Sequence, residues 1–482
     1  MRISHLFILL PLLAGIIALP AQSPAQSFTF TTLHSFDALN NSTNSDGAFP
    51  WRQLVLVSNH LYGTTYNGGE FGNGTVFAVN TDGTEFTNLH TFTARTGPFH
   101  TNDDGAQPFA GLVLASTRLY GTTGIGGPAG RGTIYAVNTD GMDFTNLHTF
   151  SGSTDGAATT AGLVLSGNTL YGASQGGGSS GLGMLFSLKT DGSDYTNLYS
   201  FPTENGGIND EGGQPVAGMV VSGTNLFGTT WSGGTGGKGV VFRINTDGTG
   251  YTNLHSFTAL VSGTNSDGAV PYSALTLSGN TLYGAAVYGG AWGNGVLFKL
   301  NTDGSGFTNF HSFTATVNNS NSDGAGPFGS LFLSGNTLYG TAISGGSSTN
   351  GTIFSVGTDG TDFKVIYNFP RLVGTTNNDG GGPVSGILSS NTLYGMAHTG
   401  GSGGSGAVFS LFIPPWLSLN YAVTNAILTW PTNADGFTLQ ATTNLGDPAD
   451  WKAVVPPPVM MNGHYIVTNF IQNERLFYRL VR

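Results

Sequence analysis

The chain has 482 residues, 39% of them apolar and only 9% charged, with 77 glycines, no cysteine and a net charge of −11. Its 15 lysines and arginines form no cluster or stripe, which excludes a nucleic-acid surface built on phosphate contacts. The missing cysteines exclude disulfide support, so packing alone must hold the fold.

At the N-terminus, Met1-Arg2 precedes an apolar run over residues 6–19 and then the small residues Ala21-Gln22-Ser23 and Ala25-Gln26-Ser27. That order predicts a secretory signal peptide over residues 1–26 and an exported protein: secreted, periplasmic or on the cell surface. Pro11 and Gly15 interrupt the run, which is short for a membrane span, and no later segment suits a transmembrane helix.

From residue 27 onward one phrase dominates, clearest as Gly279-Asn280-Thr281-Leu282-Tyr283-Gly284. Its Leu-Tyr/Phe-Gly core begins at Leu61, Leu119, Leu170, Leu226, Leu282, Leu338 and Leu393, at steps of 58, 51, 56, 56, 56 and 55 residues. A fixed period of this size marks an array of like modules that bury their apolar faces on one another. In the fifth unit, runs rich in β-formers cover residues 274–277, 281–285, 295–301 and 307–313. Ser278-Gly279-Asn280 makes a tight hairpin, and Asn301-Thr302-Asp303-Gly304 suits a turn closed by a glycine at positive φ.

Four antiparallel strands in each of seven units predict a seven-bladed β-propeller over residues 27–413. The seventh unit stops at Ile413-Pro414-Pro415 without a fourth strand, while an orphan copy of that strand occupies residues 28–36. Donated to the last blade, it would close the ring and remove the open edges.

The repeat resembles the tandem GloVer-type repeat of exported bacterial proteins. The likeness rests on Gly111–Leu114, Leu119-Tyr120-Gly121-Thr122-Thr123, Gly126-Gly127, Gly132-Thr133-Ile134-Tyr135, and Asp140-Gly141 followed by residues 144–150. It covers about residues 28–412 and implies export, propeller-like repeats and a variable C-terminal module, without a transferable activity. Residues 414–482 fit that picture as a linker and a small β-sandwich-like domain, with alternating runs at 426–430, 437–443, 451–455, 465–470 and 476–481.

In a propeller the fourth-to-first and second-to-third connections share one face, and here both are long, so a binding site belongs there or at the central channel. An acidic set recurs in these loops: Asp46, Asp104, Asp155, Glu211, Asp267, Asp323 and Asp379. With nearby amide and hydroxyl oxygens it could take calcium, but its recurrence in every unit favours a structural turn, and no cofactor is expected. A second set, Asp82, Asp140, Asp191, Asp247, Asp303 and Asp359, belongs to the Asp-Gly turns. Histidines on the fourth strand (His34, His90, His148, His255 and His311, with Tyr199 and Tyr367 replacing two) read as packing or hydrogen bonding between blades.

Residues that break the sevenfold pattern are the better ligand contacts: Tyr66, Trp231, Tyr288, Trp292 and His398, with Trp51 at the start of the first blade. Aromatic rings on one face can stack against sugars. The expected function is therefore a non-catalytic, monomeric binding protein for a polysaccharide or a surface protein. The alternative is a secreted polysaccharide lyase or hydrolase using Glu204, Asp210 and Glu211.

Overall fold

The computed structural model of the chain describes residues 28–152, 154–415, 417–422, 425–431, 437–443, 450–461, 464–470 and 476–481. The signal peptide expected over residues 1–26 lies outside them. The described residues are all-β, and no helix among them is long and apolar enough to cross a membrane.

The repeats form seven antiparallel sheets whose strand order follows the chain. In the fifth unit the strands are Thr276–Ser278, Thr281–Ala286, Val296–Asn301 and Thr308–Ser312. Ser278 pairs with Thr281, leaving Gly279-Asn280 as a two-residue hairpin. In the last sheet Gly381–Ser389, Thr392–Thr399 and Ala407–Phe412 are joined by Thr29–Ser35, which takes the fourth place.

The repeated glycine of the second strand explains the core. Gly284 sits opposite Phe298 on the third strand, and a Cβ on it would lie 2.4 Å from the ring tip and 2.9 Å from Leu275. The ring therefore lies across the glycine, and the same crowding recurs at Gly63, Gly121, Gly172, Gly228, Gly340 and Gly395. Each ring also meets a phenylalanine that follows the fourth strand of the preceding sheet, as Phe257 meets Phe298 edge-on at 5.2 Å. Such pairs link every consecutive sheet, through Phe369–Phe409 at 5.4 Å into the last and Phe36–Phe77 at 5.4 Å from the last to the first.

Asp-Gly turns nest on the same neighbour. Asp303 Oδ1 accepts from the Ser305 amide at 2.9 Å, and Gly304 at φ +88° leads the chain back. A Cβ on Gly304 would lie 3.1 Å from the Leu254 carbonyl oxygen of the preceding sheet, so this glycine is needed for both space and conformation.

Backbone contacts divide the chain into two compact units: Thr31–Ile387 with Tyr394–Ser410, and residues 1–30, Leu388–Leu393 and Leu411–Arg482. In the C-terminal part, a sheet of Ser418–Ala422, Asn425–Pro431, His464–Phe470 and Val459–Met461 and a sheet of Lys452–Ala453, Thr438–Thr442 and Phe477–Val481 share one core. Leu428, Trp430, Leu439, Val467, Tyr478 and Leu480 fill it. The strands at 418–422 and 459–461 are additions to those read from the sequence.

Tyr135 alone places a hydroxyl where the other six units have phenylalanine, and that oxygen is buried without a partner. Tyr135→Phe should raise stability by about 1 kcal/mol, whereas Gly284→Ala should lower it by about 1–3 kcal/mol through overpacking. Thermal melts of the two variants check both signs.

Candidate functional site

The acidic set and the histidines, separate in the sequence, meet in the structure. His34 Nε2 lies 2.8 Å from Asp46 Oδ2, His90 2.9 Å from Asp104, His148 3.2 Å from Asp155, His255 3.1 Å from Asp267 and His311 3.2 Å from Asp323. The two tyrosine replacements keep the contact, Tyr199 donating to Glu211 and Tyr367 to Asp379. Each histidine ring also stacks on an aromatic ring of the next unit, as His255 does on Phe307 at 3.6 Å.

The carboxylates collect backbone donors as well. Thr258 N–H reaches Asp267 at 3.0 Å, and Thr314 N–H reaches Asp323 at 3.0 Å. Their neighbours are thus hydrogen-bond donors, the reverse of a cation's oxygen shell. Burial pushes the Asp104, Asp267 and Asp323 carboxyls up, but bonds from the paired histidines and threonines outweigh it and hold them below the usual range. These acids serve as loop clamps, replacing the simple Asx-type turn expected from the sequence.

The loops so clamped are riveted to their neighbours. Phe49, Gln107, Ala158, Gln214 and Val270 all adopt a left-handed backbone, with φ between +54° and +61°. Each donates its N–H to the second-to-third loop of the preceding unit: Gln107 to Asn73 at 2.8 Å, Ala158 to Arg131 at 3.2 Å, Gln214 to Leu182 at 2.6 Å and Val270 to Lys238 at 2.9 Å. Gly326 to Asn294 and Gly382 to Asn350, both at 2.9 Å, continue the series, and Phe49 to Ser405 at 2.7 Å joins the first unit to the seventh.

Just beyond these rivets the inner segments of all seven units surround a cavity of about 120 Å³, with Gln53, Gly111, Gly162, Gly218, Ala274, Ser330 and Ser385 on its wall. Six units place Ala110, Ala161, Ala217, Ser273, Gly329 or Ser385 at one position where the first has Arg52. Its guanidinium reaches the fourth and fifth units, donating to Val216 O at 3.1 Å and Tyr272 O at 3.3 Å. It lies 5.0 Å from the ring centres of Phe109 and Tyr272 and 5.5 Å from that of Phe328. Nε is enclosed without a hydrogen-bond partner, although the residue as a whole keeps some surface. Burial brings the guanidinium pKa down to about 10, leaving it cationic at neutral pH.

Four of the residues singled out from sequence, Tyr66, Trp231, His398 and Trp51, gather here. Tyr66 donates to Gln107 Oε1 at 3.0 Å and meets Phe109 edge-on at 5.7 Å. Trp231 is 39% exposed and its ring lies 6.1 Å from that of Tyr272. His398 packs edge-on against Trp51 at 3.8 Å, and Trp51 reaches Phe109 at 5.2 Å and Phe328 at 5.3 Å. Tyr288 and Trp292, 55% and 59% exposed, stand in the fifth unit's second-to-third loop, with no ring contact to this cluster. Arg52 escaped the sequence reading, although alignment of the seven inner segments would have flagged it.

Burial moves the His398 pKa down to about 4, against a backbone hydrogen bond to Pro50 that favours the charged form. The unfolded chain therefore protonates this ring first, and stability should fall as pH drops from about 6.5 toward 4. The depressed Asp104, Asp267 and Asp323 contribute stability that is whole above about 3.9 and lost as pH falls through their folded values. Melting temperatures should thus decline in two stages on acidification, and His398→Gln should flatten the first. A single acid transition, the same in both proteins, would count against the assignment.

No curated protein matches the sequence significantly. Among solved structures, a chain of a nidogen/laminin complex aligns at 15% identity over 65% of this chain and 93% of its own length, with a TM-score of 0.39. A puromycin-hydrolysing peptidase of Mycobacterium tuberculosis aligns at 9% identity over 83% of this chain, with a TM-score of 0.45, and the chain spans 61% of its length. The profile of the Gloeobacter/Verrucomicrobia repeat matches twice in tandem, over residues 98–265 and 257–419. The chain belongs to the Gloeobacter/Verrucomicrobia repeat family.

Proposed function

We propose that residues 27–413 form a seven-bladed propeller in an exported, non-catalytic protein that binds a glycan at the mouth of its central channel. Support for the propeller comes from the seven antiparallel sheets, six of four strands and the first of five, from the inter-sheet phenylalanine pairs and from the loop rivets that lead from the seventh unit back to the first. The observation that carries the binding reading is the convergence of Trp51, Phe109, Tyr272 and Phe328, from four units, with Tyr66 and Trp231 around one guanidinium. Rings presented this way offer apolar faces to sugar C–H groups, and the carbonyl-held cation favours oxygen-rich ligands.

Acid–base catalysis needs two carboxylates facing one substrate. Glu204 accepts from Ser232 Oγ at 2.6 Å, while Glu211 is held by Tyr199. Those separate commitments favour binding over hydrolysis. Residues 414–482 are assigned the role of an attachment module.

The test applies the mature chain to a polysaccharide panel and scores retention and new reducing ends together. Retention without new ends should weaken roughly tenfold in Trp231→Ala, the equivalent of about 1.4 kcal/mol. New ends would overturn the non-catalytic reading. Failure of the panel to retain the protein would overturn the glycan assignment in favour of a protein ligand.

A further inference from the structure

We infer that the loops of the fifth and sixth units form a second site, separate from the channel mouth, that takes an uncharged sugar. Asn294, Thr316, Asn319, Ser344 and Thr349 line a cavity of about 350 Å³ there. That volume falls within the range of about 300–1,000 Å³ usual for small-ligand sites. Among the described residues, the side chains of Thr316, Asn319 and Thr349 make no hydrogen bond to the protein, and no charged group lines the wall. Unengaged hydroxyls and an amide, with neither cation nor anion, match a ligand that is itself a set of neutral hydroxyls.

The cavity breaks the repeat at one residue. Six units have glycine at the equivalent loop position: Gly72, Gly130, Gly181, Gly237, Gly293 and Gly404, with φ between +67° and +80°. A Cβ on Gly72 would lie 2.9 Å from Ser42 O and one on Gly293 3.1 Å from Gly263 O, so in those units the two loops close tightly. The sixth unit has Thr349 instead, at φ +71°. A β-branched residue held in that region is strained, and its side chain stands where five of the other six units close. Strain kept at a single unit, in the wall of a cavity with unengaged polar groups, is what a ligand site requires. Asn294 shares its loop with the exposed Tyr288 and Trp292, which adds apolar ring surface to the same connection.

The inference shares only a ligand class with the proposed function, and the variants separate the two. Cellobiose, laminaribiose, mannobiose, xylobiose and galactobiose are titrated against the full mature chain by saturation-transfer NMR. Thr349→Gly restores the glycine of the other units and Asn319→Gly restores the Gly263 of the fifth, so neither should lower the melting temperature. At least one disaccharide should bind, with affinity at least tenfold weaker in both variants and unchanged in Trp231→Ala. Binding by none of the five, or binding lost only in Trp231→Ala, would overturn the second site. The latter result would leave the channel mouth intact as a glycan site.

Discussion

The structure depends on a glycine lying beneath an aromatic ring. A second strand without a side chain at one point lets the third-strand phenylalanine fold down across it, onto the Leu275-type residue of the first strand. The ring then presents its face or edge to the sheet next door, where Phe257 and its equivalents wait. One small residue thus sets strand pairing within a sheet and packing between sheets. Any substituent at the glycine disturbs both levels, which is why Leu-Tyr/Phe-Gly is the least variable phrase in the chain.

With the scaffold so determined, individuality is confined to the loop ends. The histidine–carboxylate clamps, with tyrosine in place of histidine in two units, hold each long loop, and the left-handed residues beside them hand a hydrogen bond to the preceding unit. Those two devices are common to nearly every unit and leave little freedom. What differs is the side chain carried just beyond them: Trp51 and Arg52 in the first unit, Trp231 in the fourth, Thr349 in the sixth. Arg52 stands at a position that the other six units fill with small residues, and its carbonyl acceptors belong to the fourth and fifth units.

Much of this was legible in the residues. Period, strand runs, hairpins and the destination of the N-terminal strand follow from apolar alternation and turn chemistry, which are local properties. The histidine–acid pairing was also within reach, because five of the seven pairs lie 12 residues apart. It was missed because each set had a sufficient explanation of its own, a turn for the acid and packing or hydrogen bonding between blades for the histidine. Arg52 is a different case. Its partners lie 164 and 220 residues away, and a lone cation in a sequence carries no sign of being surrounded by rings. In the C-terminal part, Val459–Met461 follows a run of prolines and is exposed, so neither burial nor alternation marks it as a strand.

Completion of the last sheet by Thr29–Ser35 has a consequence for how the chain reaches this state. Thr32 Oγ1 donates to Asn378 O at 2.9 Å across 346 residues of sequence, and that contact cannot form until the final unit exists. Until then the first strand has no partner and the seventh sheet has an open edge, both templates for pairing with another copy. Order of synthesis and order of assembly are therefore opposed: the earliest of the described strands is among the last to be placed. Contacts of such sequence separation form slowly. A protein built this way is at its most vulnerable to intermolecular pairing in the interval between the end of synthesis and the docking of its own beginning.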